Sequence, residues 1–216
     1  HRPPPTAQCL LPTAHRPLPT AYCLLLTVYC LLSTANWIAA QKPTPADARL
    51  QSFEQHKTLK KNTLLGSLKP ENIGPSIFSC RVVDVEVNPD DPTEMYVAYA
   101  SGGLWYSNNN GTTFSPVFDK EASMTIGDIA VDWQRGVLWV GTGESNSSRS
   151  SYAGTGIYRS ADAGKTWEYR GLPESHHIGR VVLHPTDPEV IWVAVLGHLY
   201  SPNADRGVYR STDGGR

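Results

Sequence analysis

The chain has few cysteines and methionines, no dominant charge and only a short apolar run. Its 216 residues include 4 cysteines and 2 methionines, and 19 lysines and arginines nearly balance 20 aspartates and glutamates, for a net charge of −1. Because no basic stripe stands out, nucleic acid is not an expected partner. The apolar run at 21–32 is too short to cross a bilayer, so no membrane span is predicted.

The cysteines and histidines provide no framework for a disulfide or a metal. Cys9, Cys23 and Cys30 lie near the N-terminus, which leaves Cys80 alone in the remainder of the chain. The histidines at 176, 177, 184 and 198 do not share a ligand spacing, so no metal site is predicted. The glycines at 141 and 143 are not followed by Lys-Ser/Thr, which excludes a phosphate-binding loop, and no cofactor is predicted.

What the chain does have is one motif, repeated three times. A short aromatic strand precedes Ser-x-Asp/Asn-x-Gly, and two of the copies continue with Thr and an aromatic residue. The serines recur about every 50 residues, a period typical of β-propeller blades. The motif residues are Ser107, Asn109, Gly111 and Phe114 in the first copy, Ser160, Asp162, Gly164 and Trp167 in the second, and Ser211, Asp213 and Gly215 in the third.

Two further apolar runs precede each copy and predict the other strands of a blade. The first runs are 82–87, 128–133 and 180–183, and the second are 95–100, 137–141 and 190–195. Each blade therefore has four antiparallel strands, with the motif at the turn between the third and fourth. Alternation places this turn, termed the box turn, on one face of the propeller. The second-to-third-strand loops and the blade-to-blade crossings share the opposite face, termed the mouth face.

The three copies resemble the Asp box, or bacterial neuraminidase repeat, of sialidases, sortilin-type ectodomains and oligoxyloglucan-hydrolase propellers. The resemblance covers about residues 73–216, and the second copy matches fully. The first departs at Asn109 and Phe114, and the third stops at Arg216. The resemblance implies an all-β fold with about three four-stranded blades, as the front part of a longer propeller. It also implies a structural turn, because Asp or Asn bonds backbone N–H groups, Gly supplies positive φ and the aromatic packs between sheets.

The sequence before the blades divides into two segments. Residues 1–40 follow a seven-residue cycle built on Leu-Pro-Thr-Ala-Tyr-Cys-Leu and are predicted not to fold. One interpretation is translated repetitive DNA; the alternative is a secretory signal, with the apolar run 21–32 and a cleavage site near 39–41. Residues 41–72 are predicted to be a polar connector with one short helix near 46–57, and residues 73–216 the incomplete propeller.

The mouth face contains the candidate functional residues. Glu144 follows two glycines and begins a long polar loop, and Asp128 lies near a blade crossing, so the two could supply the carboxylate pair of a glycosidase. The candidate binding residues are Arg81, Arg180, His177 and His198. The alternative interpretation is structural, with Arg81 or Arg180 neutralising Asp128 or Glu144 between blades.

Two functions therefore stay open. The first is a sortilin-like binding or scaffold domain for a peptide, protein or glycan, within a secreted or periplasmic protein. The second is an Asp-box glycoside hydrolase acting on a polysaccharide or oligosaccharide. The first is favoured because the box is structural and no acid pair is demonstrable from sequence. A pair of mouth carboxylates about 5–10 Å apart would favour hydrolysis, whereas arginines, glycines and aromatics would favour binding.

Overall fold

The computed structural model describes residues 24–30, 43–68, 81–148 and 151–216. The chain divides into two units, His1–Lys42 and Pro43–Arg216. In the first unit, residues 24–30 form an exposed helix, α1. The rest of the predicted N-terminal tail lies outside the described residues, as do Cys9, Cys23 and Cys80. Among the described residues, no helix has both the length and the apolarity that a membrane crossing requires.

The described residues of the second unit form one helix and eleven strands. Helix α2, Ala46–Asn62, confirms the helix expected in the connector and extends five residues beyond it. The strands are β1 Val82–Val87, β2 Met95–Tyr99, β3 Gly103–Ser107, β4 Ser115–Pro116, β5 Ile126–Asp132, β6 Val137–Thr142, β7 Ile157–Ser160, β8 Glu168–Tyr169, β9 Ile178–Leu183, β10 Ile191–Val195 and β11 Gly207–Ser211.

The strands form three antiparallel sheets with the order expected for propeller blades. Strands β1 to β4 and β5 to β8 each form a four-stranded sheet in sequence order, and β9, β10 and β11 form a three-stranded one. Such meanders arise because β-branched and aromatic residues alternate with tight turns. The predicted all-β fold, a run of propeller blades, is confirmed.

The core lies between neighbouring blades. One buried cluster joins the first two blades and includes Tyr96, Leu104, Phe118, Ile129 and Val140. A second joins the last two and includes Trp139, Ile157, Ile178, Val181 and Val193. Each blade therefore depends on its neighbour to bury its apolar face, as in other repeat architectures.

Backbone hydrogen bonds confirm how the loops divide between the two faces. Each box turn donates to the turn between the first two strands of its own blade, from Asn110, Ala163 and Gly214 to the carbonyls of Thr93, Gly136 and Glu189. On the other face, Gly143 donates to Thr125 and accepts from Ile178, so the second-blade loop contacts crossings on both sides.

The three box turns share one hydrogen-bond pattern. In the second copy, the hydroxyl of Ser160 donates to Asp162 and accepts the N–H of Gly164, and Asp162 accepts from the backbone and hydroxyl of Thr166. These bonds lower the pKa of Asp162 to about 2. Equivalent serine bonds occur at Ser107 and Ser211. The Trp167 indole donates to Val117 of the previous blade at 2.7 Å, which ties adjacent sheets together.

Asp128 and Arg180, predicted at the first positions of their strands, lie inside them. Strands β5 and β9 begin two residues before the predicted starts, at Ile126 and Ile178. Each of the two residues is therefore the third residue of its strand. Irregular pairing near the start of both strands allows this extension, because each register shifts at the mouth-face end.

Candidate functional site

Glu144 is fully buried at the mouth face, and its carboxylate accepts hydrogen bonds from three groups. The guanidinium of Arg81 lies 2.7 Å from Oε1, which also accepts the backbone N–H of Asn146 at 3.1 Å. The hydroxyl of Ser151 donates to Oε2. Burial raises the pKa of Glu144, but the bonds from Ser151, Arg81 and Asn146 outweigh it, and the net pKa is below the usual value. Glu144 is therefore ionised at neutral pH.

Asp128 is also buried, and it joins the second blade to the third. Its Oδ2 accepts the backbone N–H of Val181 at 2.7 Å, and its Oδ1 lies 3.1 Å from Arg180 Nη1. Burial raises the pKa of Asp128 to about 6, because the two stabilising contacts do not fully compensate for desolvation. The Asp84 carboxylate acts in the same direction.

Asp84 makes the same link one blade earlier, and sequence analysis missed it. Its Oδ2 accepts the backbone N–H of Ile129 at 3.2 Å. Asp84 pairs with Ala98 on the second strand of its blade, and Asp128 pairs with Gly141 at the matching position of the next blade. An acidic residue within a strand made mainly of valines was the available signal, since a buried carboxylate must find a partner.

The two predicted acids and the two predicted arginines therefore form inter-blade ion pairs. Both carboxylates are buried, whereas the side chain of Arg81 is 40% exposed and that of Arg180 is 63% exposed. In these two pairs the exposed partner is thus the guanidinium ion, held in place by a buried carboxylate.

A glycine allows the backbone of the Glu144 loop to approach the next blade crossing closely at the mouth face. Gly143 has φ +88°, and a Cβ built on it would overlap the carbonyl oxygen of His176. The backbone of the Glu144 loop therefore lies directly against the next blade crossing. This contact explains why a glycine directly precedes Glu144 in the sequence.

The two predicted binding histidines are both buried. The Nδ1 atom of His177 lies 2.8 Å from the carbonyl oxygen of Glu144. Burial lowers the pKa of His177, which favours the neutral imidazole. His198 lies in the loop after β10, with its Nδ1 2.8 Å from the hydroxyl of Ser201.

A second cluster, which the sequence did not predict, brings together Glu174, His176 and His198. The Nε2 atoms of the two histidines lie 3.4 Å and 3.5 Å from Glu174 Oε2, and the two ring centroids are 3.7 Å apart. Oε1 accepts the backbone N–H of Ala46 at 2.6 Å, at the start of α2. Burial lowers the pKa of His176 to about 4.

The sequence contained a signal for this cluster. Glu174 and His176 precede β9 in a blade crossing, and His198 follows β10 in a second-to-third-strand loop. Both segments belong to the mouth face. The cluster does not show as a ligand-spacing motif in the sequence, because strands β9 and β10 separate its members along the chain. His184 lies on the box face, away from the cluster, as expected from its turn.

The described residues also line a cleft of about 370 Å³ on the box face, between turns of neighbouring blades. Its lining includes Trp133, Arg135 and His184. None of the predicted catalytic or binding residues contributes to it.

Known structures similar to this chain are β-propeller proteins. An ancestral GH74 enzyme is 20% identical over 62% of this chain and 18% of its own length, with a TM-score of 0.46. A GH74 enzyme of Niastella koreensis is 21% identical over 51% and 16%, with a TM-score of 0.41. YCF48 from Cyanidioschyzon merolae is 16% identical over 64% and 37%, with a TM-score of 0.40.

The chain thus spans less than a fifth of the length of those two GH74 enzymes. No protein-family profile and no curated protein matches the sequence. At such identities the likeness concerns the fold, and it carries no argument about substrate or activity.

Proposed function

We propose that the blades form a binding or scaffold module that recognises an acidic group of a peptide, protein or glycan at the mouth face. The supporting observation is the pair of exposed arginines, Arg81 and Arg180, each anchored by a buried carboxylate. A guanidinium has five N–H donors in a planar fork, so the buried partner leaves donors for a ligand carboxylate. Anchoring reduces the conformational entropy lost on binding.

The three box turns support a placement among Asp-box repeat propellers, and a binding role corresponds to the sortilin-type members. We also propose a secreted or periplasmic location, because the apolar run 21–32 is followed by small residues typical of a signal cleavage site. N-terminal sequencing of the protein exported by its native host tests this proposal. An uncleaved chain retained in the cell would contradict it.

The binding proposal is tested with an oligoglutamate peptide and an oligogalacturonate, measured by calorimetry at low and moderate salt. We expect Arg180→Gln to weaken binding about tenfold or more, since a charge-assisted hydrogen bond is lost. The matched control is Arg135→Gln, because Arg135 forms a similar pair with Asp132 at 2.7 Å on the box-face side.

The control should bind as well as the wild type. No binding by the folded wild type, or an equal loss in both variants, would count against the proposal. Arg180 is suited to the test because its side chain is largely exposed, so its replacement disturbs little packing.

A glycoside hydrolase is the second candidate, and the raised pKa of Asp128 favours it. A buried carboxyl with a pKa of about 6 resembles a general acid. The burial of Asp128 and Glu144 weighs against it, because a catalytic acid must reach the glycosidic oxygen. A glycan-hydrolysis screen with the wild type and Glu144→Gln tests this candidate function. Activity that is lost in a folded variant would establish the hydrolase, and an inactive wild type would rule it out.

A further inference from the structure

We propose that Glu174, His176 and His198 bind a divalent transition metal ion such as Zn²⁺. The inference goes beyond ligand binding by the arginines, because it concerns a separate cluster, in the crossing before β9 and the loop after β10.

The first argument is the pair of imidazole nitrogens. Nε2 of His176 and Nε2 of His198 are both buried, and neither makes a hydrogen bond of good geometry among the described residues, since their neighbour Glu174 Oε2 lies 3.4 Å and 3.5 Å away. Buried polar atoms in proteins almost always have a partner. Two such atoms facing the same carboxylate oxygen indicate a missing group that all three could bind.

The second argument is the geometry. In tetrahedral zinc sites the Zn–N and Zn–O distances are about 2.0–2.2 Å, which places neighbouring ligand atoms roughly 3.4 Å apart. The observed separations between each Nε2 atom and Glu174 Oε2 are 3.4 Å and 3.5 Å. The ligand atoms of all three residues lie within 4.8 Å of one another. Only small shifts of the side chains are needed to surround one ion.

The third argument is the support around the ligands. The hydroxyl of Ser201 bonds the Nδ1 atom of His198, which directs Nε2 towards Glu174. The backbone N–H of Ala46 fixes the other carboxylate oxygen, and the Asn203 amide donates to the Glu174 carbonyl. Outer partners of this kind orient metal ligands in known sites.

The ligand set and its surroundings select the type of ion. Two imidazoles and one carboxylate suit Zn²⁺, Co²⁺ or Ni²⁺, whereas Ca²⁺ and Mg²⁺ require mainly oxygen ligands. Arg49 Nη2 lies 3.9 Å from Glu174 Oε2 and helps to keep that carboxylate ionised, although its charge opposes a nearby cation. The side chain of Glu174 is 35% exposed and borders a cavity of about 210 Å³. A water molecule or a ligand donor atom therefore has access to a fourth position.

The test is a titration of the full, chelator-treated chain with Co²⁺, followed by visible absorption and by displacement with Zn²⁺. We expect one tetrahedral Co²⁺ site with d–d bands. His176→Gln or His198→Gln should weaken its affinity by at least about 100-fold, since even outer-shell partners contribute roughly 10- to 100-fold. The matched control is His184→Gln, a histidine on the box face, which should bind as the wild type does.

Two further readouts distinguish this site from metal binding elsewhere in the chain. Binding by the cysteines near the N-terminus would give thiolate-to-cobalt charge-transfer bands that persist in both histidine variants, and such bands alone would overturn the proposal. Ser201→Ala keeps all three ligands, so it tests the site if a histidine variant fails to fold; we expect about tenfold weaker binding. A wild type without d–d bands, or unchanged affinity in Ser201→Ala and in both histidine variants, would also overturn it.

Discussion

Single residues at the mouth face act mainly through backbone and charge contacts between blades. Gly143 illustrates this, because its positive φ and its closeness to the His176 carbonyl leave no space for a side chain. Gly171 has a similar φ of +93°, yet nothing lies within 4 Å of a Cβ built there. The two glycines therefore separate the effect of φ from the effect of close packing.

We expect Gly171→Ala to lower the free energy of unfolding by about 1–2 kcal/mol, the usual cost of the left-handed region for a residue with a Cβ. Gly143→Ala should lower the free energy of unfolding by roughly 1–3 kcal/mol more than Gly171→Ala does, because the added methyl group also overlaps the next blade crossing. Urea denaturation of both variants measures the difference. Equal losses would show that the blade crossing yields to a methyl group, contrary to the contact described.

The residues with predicted chemical roles show how far sequence reasoning reaches at this scale. Glu144, Asp128, Arg81 and Arg180 are all predicted at the mouth face, and the structure brings them into pairs there. The sequence does not determine which arginine pairs with which acid. That pairing depends on the strand starts and on the Glu144 loop, which linear spacing does not fix.

At the scale of the element, the box turn is a self-contained unit. Local backbone N–H groups donate to the serine hydroxyl and to the side-chain oxygen of the Asp or Asn. One motif therefore produces the same turn three times. The copies differ in solvent exposure: Ser160 is buried, whereas Ser211 is partly exposed in the third blade.

We expect Ser160→Ala to destabilise the protein by about 1–3 kcal/mol, because the buried N–H of Gly164 loses its acceptor. Ser211→Ala is the matched control, and it should cost less because water can replace the hydroxyl. Thermal or urea unfolding of the two variants provides the measurement. A loss at position 211 as large as that at 160 would contradict the role of burial.

Strand boundaries mark the limit of prediction at this scale. The apolar runs and the aromatic strand before each motif located every long strand of the described blades, yet β5 and β9 start two residues early, at Ile126 and Ile178. Gly127 and Gly179 concealed these starts, since glycine is depleted in strands and usually indicates a turn. The packing of adjacent blades, rather than local propensity, extends the strands.

At the scale of the whole molecule, buried carboxylates connect the blades in series. Asp84 joins the first blade to the second, and Asp128 joins the second to the third, each through a backbone N–H of the following first strand. The stability of the blade stack should therefore depend on the protonation of Asp128.

The direction in which stability changes with pH follows from the raised pKa of Asp128. Asp128 has a pKa of about 6 when folded, above its ordinary value of 3.8, so the folded state binds the proton more tightly. This group therefore adds stability as the pH falls from about 7 towards 4, and that contribution is lost as the pH rises through about 6. Glu144, with its lowered pKa, has the opposite dependence.

The variant Asp128→Asn isolates the pH dependence that Asp128 contributes, because Asn does not titrate. The contribution of Glu144 is the same in the variant and the wild type. We expect the wild type to gain stability relative to the variant, on the order of 1 kcal/mol, between about pH 7 and pH 5. Urea unfolding at both pH values measures the change. A stability difference that does not vary with pH would show that Asp128 has an ordinary pKa.

The sequence by itself determined the fold class, the number of described blades and the face on which each loop lies. These follow from local physics: the strand pattern, the turn residues and the antiparallel alternation are all encoded over short distances. The tertiary structure alone decided the contacts between blades. It paired Asp84 with Ile129 and Asp128 with Arg180, and it brought Glu174, His176 and His198 together. Such contacts join residues far apart in the chain, and their distances depend on how the sheets pack rather than on spacing along the sequence.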